Sequence, residues 1–161
     1  MNLLLAAILR RRHLIVTVEG WSMYPALSDG DRLLVRRCDG TGPGVVPGAV
    51  LLVARPDGQR GWSLTAEEAR RRGSWILKRA HTVAGASEPG LAAGSVYVVG
   101  DHPRSEDSKQ HGFCPPHLVA GVVLRRVSAG TATVPASVLA TATARVPTMI
   151  SATTEDRKPS R

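Results

Sequence analysis

Two residue types in this chain could do chemistry together, a serine set on a corner and a lysine set among apolar neighbours. Ser22 lies in the stretch V-E-G-W-S-M-Y-P-A-L that spans 18–27. A short β-type run, Leu14 to Val18, delivers Gly20, whose backbone freedom lets the chain turn sharply and present Ser22 outward. Pro25 then biases Tyr24 toward extended geometry and offers no N–H of its own, which keeps the loop from winding into a regular helix. Taken alone, a serine in such a G-x-S-x-x-P setting caps a turn.

The lysine is Lys78, in W-I-L-K-R-A-H-T-V over 75–83. Strand alternation puts Ile76, Lys78 and Ala80 on one face and Trp75, Leu77 and Arg79 on the other. An ammonium group between two apolar neighbours is out of place. The residue type matters as well, because only three of the 21 Lys and Arg residues are lysine, namely Lys78, Lys109 and Lys158. Arginine keeps its proton at any ordinary pH, whereas a buried lysine gives it up and then acts as a base. Lowering the lysine pKa from ~10.4 to about 7 costs about 4 to 5 kcal/mol, which burial can impose. The ordinary alternative is an amphipathic lysine snorkelling from a sheet edge.

The elements that must position these residues read as strands. The chain has 161 residues, 43% hydrophobic but 4% aromatic, with 16 Gly and 11 Pro. That suits one domain whose core is filled by Val, Leu and Ala, in a mainly β fold with many turns. Strands are expected at 14–18, 32–36, 48–53, 75–83, 95–99 and 118–124, with turn signals at Asp29-Gly30-Asp31 and Pro56-Asp57-Gly58. One surface helix is expected over 63–73. Thr65 and Glu68 fit a capping box, acidic residues precede basic ones, and Gly73 can end it.

The net charge is +8. The arginines come as short runs from end to end without interleaved aromatics, which makes nucleic acid an unlikely partner and a basic surface facing anionic lipid the better reading. At the N-terminus, 1–13 form a short apolar and basic segment. Leu3 to Leu9 is too short to span a bilayer, which takes ~20 apolar residues. It reads as the end of a truncated anchor, an interfacial segment or part of the core. From 128 to 161 the Ala, Thr, Val and Pro composition reads as a weakly ordered tail.

Four blocks in order resemble one family, the type I signal peptidases, membrane-associated serine proteases with a Ser/Lys dyad. G-W-S-M-Y-P-A-L resembles the nucleophile motif and G-D-R-L-L-V (30–35) the strand after it. W-I-L-K-R (75–79) is similar to the general-base block. Gly100-Asp101 with S-E-D-S-K (105–109) and Gly112 resembles the family's final block. The resemblance covers 18–124 and implies a catalytic domain over 14–127, a small antiparallel, partly closed β-barrel or sandwich. It implies Ser22 as nucleophile and Lys78 as general base, Ser105 orienting Lys78, an Asp107–Lys109 salt bridge in support, and Met23 packed beside the nucleophile. It implies cleavage of leader peptides from exported precursors after small residues, at a membrane surface on the extracytoplasmic side, with no cofactor. The chain departs from the pattern in that His102 replaces an asparagine and Lys109 an arginine. The loop between Asp101 and Ser105 is one residue short, and Gly20 stands where part of the family has a serine whose hydroxyl is a second oxyanion donor.

Other readings use the same residues. His111, Cys114 and His117, with Asp101 or His102 as a fourth ligand, have zinc-like spacing. Cys38 and Cys114 are either one disulfide or two thiols. A serine triad using one of the five histidines has no motif behind it. The self-cleaving repressors of the SOS response share Ser and Lys on a similar β fold, but their DNA-binding domain and Ala-Gly scissile site have no counterpart here. A protein of a different class, a degenerate protease scaffold that binds a surface or a metal, is the remaining alternative.

Overall fold

The computed structural model describes residues 12–130. The expected apolar segment over 1–13 and tail over 128–161 therefore lie almost wholly outside the described residues. Six strands carry the fold: β1 (His13–Thr17), β2 (Arg32–Arg37), β3 (Val50–Ala54), β4 (Trp75–Val83), β5 (Val96–Val99) and β6 (Val119–Ser128). They form one antiparallel sheet in the order β1-β2-β6-β3-β4-β5, open at both ends. The expected mainly β architecture is the one observed.

Valine and leucine runs make these strands because branched side chains fit a pleated surface packed on neighbours. β3 is apolar on both faces and its side chains from Leu51 to Ala54 are all buried. Two cores result. Leu51 and Val53 join Ala80, Val96, Val98 and Leu118 on one side. Leu52 joins Met23, Leu27, Leu33, Val35 and Leu77 on the other. Gly121 is required where β6 passes β2, because a Cβ there would press on Val35 and on the Arg36 carbonyl.

The expected helix is α1 (Ala66–Arg72), with Thr65 and Glu68 forming the capping box and Gly73 closing it in the left-handed region. A second helix, α2 (Ser108–His111), lies in what reads from sequence as a plain loop. Asp107 caps it and Gln110 answers in a second capping box. At the C-terminal end, β6 continues to Ser128, beyond the expected limit, and the Gly130 N–H donates to Asp31 Oδ1 at 2.6 Å.

Candidate functional site

The corner that carries Ser22 is pinned at both ends. Val18 and Asp31 are joined by Val18 N–H to Asp31 O at 2.8 Å, and Gly30 N–H donates to Val18 O at 2.9 Å. Gly20 has φ 82°, the left-handed region that favours glycine, and its N–H donates to Asp29 Oδ1 at 2.7 Å. Beyond it the chain coils through tight turns, with Tyr24 N–H on Trp21 O at 3.0 Å and Leu27 N–H on Met23 O at 2.9 Å. Met23 is 1% exposed and locks the turn into the second core directly after Ser22. Ser22 itself is half-buried.

Ser22, Lys78, Ser105 and His102 line one cavity of about 530 Å³. Four consecutive residues of β4, Trp75 to Lys78, line it, and so do Val16, Thr17 and Val18 at the end of β1. Successive side chains of a strand point to opposite faces, so a cavity touched by all of them runs along strand edges. The pairing agrees. β5 covers only Arg79 to Val83 of β4, and β1 is an edge strand. The outer edge of β1 at Val16 and Thr17 and the edge of β4 away from β3 at Trp75 to Lys78 thus border the space between serine and lysine.

Lys78 is 2% exposed. Its amine donates a hydrogen bond to the Ser105 hydroxyl. Among the described residues no carboxylate forms an ion pair with it. Burial therefore dominates and lowers its pKa from 10.5 to about 8, although the nearby charge of Asp107 pulls the other way. A neutral amine that donates to Ser105 keeps its lone pair free for another proton.

Asp107 makes its ion pair with Lys109. Burial alone would raise its pKa, but the N–H groups of Gly100 (2.9 Å) and Lys109 (3.0 Å) and the Lys109 ammonium (3.1 Å) together hold it below the usual carboxylate value. The expected Asp107–Lys109 pair is thus present, made by a lysine without an arginine's fork. Gly100 shows how tightly the parts close. A Cβ there would overlap the Ser105 side chain and the Ser22 carbonyl, so only glycine lets them meet.

Two contributors escape the motif reading. Arg79 makes a two-pronged salt bridge to Asp101, Nε to Oδ1 at 2.8 Å and Nη2 to Oδ2 at 2.6 Å, and a third bond to Gly48 O at 2.9 Å. It ties the strand carrying Lys78 to the loop carrying Ser105. Both residues stand in the quoted blocks, W-I-L-K-R and Gly100-Asp101, but the resemblance gave neither of them this pairing. His102 is the other. Its N–H donates to the Ser22 carbonyl at 3.0 Å and its carbonyl accepts from Ser105 N–H at 3.0 Å, so one residue joins the serine corner to the partner of Lys78. Among the described residues the buried His102 Nε2 has no hydrogen-bond partner, which costs about 1 to 3 kcal/mol for a desolvated polar group.

The zinc reading is overturned by geometry. His111 Nε2 meets Glu106 at 2.9 Å, His117 Nε2 meets the Leu64 carbonyl at 2.9 Å, and Cys114 is wholly buried. Among the described residues no three His, Cys, Asp or Glu side chains are grouped to hold a metal. Cys38 and Cys114 are free thiols, and burial pushes Cys114 up to about 12.

No family model matches the chain, and no curated protein matches it. Among the described residues no helix is long and apolar enough to cross a membrane.

Proposed function

We propose that this chain is a serine endopeptidase of the signal peptidase I type, with Ser22 as nucleophile and Lys78 as general base. The observation that carries the reading is the buried Lys78 amine. It is bonded to Ser105, has no ion-pair partner among the described residues, and lines the same cavity as Ser22. The neutral amine takes the Ser22 hydroxyl proton as Oγ attacks the scissile carbonyl, and returns it to the departing amine. The Ser22 backbone N–H donates to the oxyanion. Water, deprotonated by the same amine, then releases the acyl group.

The outer edges of β1 at Val16 and Thr17 and of β4 at Trp75 to Lys78 suit an extended substrate lying between them, paired through main-chain hydrogen bonds. A wall of Val16, Val18, Leu52 and Leu77 leaves shallow apolar room. That fits small residues before the cleaved bond, the pattern found at the end of a leader peptide. The partner is accordingly an exported precursor, met at a membrane surface, and the extracytoplasmic location follows from the family resemblance.

The test compares wild type with Ser22→Ala and Lys78→Arg on a precursor ending in A-x-A. Wild type cleaves after the second alanine, and both variants lose the activity. Equal residual cleavage in all three rejects the enzyme and favours a surface-binding scaffold.

A further inference from the structure

His102 is built into the site twice over, and one of its atoms is still unused. Its ring Nδ1 accepts the Arg104 N–H at 3.3 Å, so the ring proton belongs on Nε2. Among the described residues that N–H has no acceptor, although the residue is only 8% exposed and lines the cavity shared by Ser22, Lys78 and Ser105. Buried donors are nearly always paired, and one left unpaired beside a reactive serine is a place where the bound molecule completes the bonding.

We infer that His102 is a substrate-contacting residue, its Nε2–H reserved for an oxygen of the bound peptide next to the bond that Ser22 attacks. This rests on the peptidase reading and adds the donor that Gly20 lacks. The ligand class follows from the donor. A ring N–H donor takes a main-chain carbonyl, as an extended peptide presents at regular intervals. The placement follows from the backbone, since the same residue holds the Ser22 carbonyl through its own N–H. Substrate and nucleophile are thereby registered by one residue.

Two substitutions separate the two ring nitrogens. His102→Asn puts an acceptor where Nδ1 stands and so keeps the bond from Arg104, but it cannot reach where Nε2 stands. His102→Gln extends an amide N–H toward the Nε2 position. Each is assayed on an A-x-A precursor peptide beside wild type and Ser22→Ala, with thermal melting measured in parallel. The expected result is a drop of about tenfold or more in kcat/KM for His102→Asn with an unchanged melting temperature, and a markedly smaller drop for His102→Gln. In the Ser22→Ala background, His102→Asn also weakens binding of the uncleaved peptide. Wild-type kcat/KM and binding in His102→Asn overturn the inference and leave the ring as a loop brace. So does a drop that tracks lost melting temperature. A wild type that cleaves no such peptide rejects the peptidase reading itself.

Discussion

Asp31, at the base of the Ser22 loop, and Lys78, in the cavity that Ser22 lines, are both buried charged side chains, and they are treated in opposite ways. Asp31 is 0% exposed and fully answered. Ser28 N–H and Gly130 N–H donate to it at 3.0 and 2.6 Å, and Arg126 pairs with it at 3.2 Å. It fastens the base of the loop to the end of β6. Lys78 is buried too, at 2% exposed, but among the described residues its amine has a single hydroxyl partner, and its pKa is pushed down to about 8. A buried charge that is fully paired holds structure together, whereas one left short of partners is poised to give up its proton.

The largest test of this contrast is Lys78→Met. Peptide cleavage falls about a thousandfold or more, because base and nucleophile act as a unit. The fold, however, becomes more stable at neutral pH. The folded pKa of Lys78 lies below its unfolded value, so between about 8 and 10.5 the unfolded chain binds more protons. The burial penalty is complete below pH 8 and is relieved as pH rises to 10.5. Urea denaturation should show a gain of at most about 3 kcal/mol at pH 7, shrinking toward pH 10. A loss of stability at pH 7 would make Lys78 a structural residue like Asp31.

Asp31→Ala should behave in the reverse manner. Stability falls by about 2 to 3 kcal/mol as two N–H groups lose their acceptor, while the protein that remains folded keeps most of its kcat. Ser105→Ala sits between the two. It removes the hydroxyl that aims the amine and should lower kcat/KM by about ten- to a hundredfold with little change in melting temperature. Lys109→Ala is the mildest. Its half-exposed ammonium supports Asp107, so activity falls about two- to fivefold. Its positive charge also lowers the pKa of Lys78, so the rise of activity with pH should move to higher pH in that variant.

Much of the scaffold was legible because its signals are local. Valine and leucine runs located all six strands, W-I-L-K-R-A-H-T-V coincides with β4, and Thr65, Glu68 and Gly73 bracket α1. The order of strands was not, since β6 lies between β2 and β3 through contacts far apart in the chain, and alternation does not name a strand's neighbour. Helix α2 has four residues, fewer than hydrophobic periodicity needs, though its D-x-x-Q capping box was there to read.

At the site, Lys78 stood out because its neighbours on one strand face are apolar. The placing of Ser22, Ser105, Asp107 and Lys109 around it came from the motif resemblance. The Arg79–Asp101 clamp and the buried pairing of Asp31 were hidden, because an ion pair between distant residues leaves no spacing rule. Zinc-like spacing misled for the same reason. His111 ends α2, Cys114 bridges to Val96 and His117 lies in the turn before β6, so the three side chains meet different partners, which spacing alone does not reveal.

The uncharged amine can be observed directly. The chain has only three lysines, so the side-chain NMR signals of Lys78, Lys109 and Lys158 can be followed separately across pH. One of them, absent from Lys78→Arg, should titrate with a midpoint of about 8, and kcat/KM should rise through the same midpoint. All three lysines titrating near the ordinary value of ~10.4 would contradict the account.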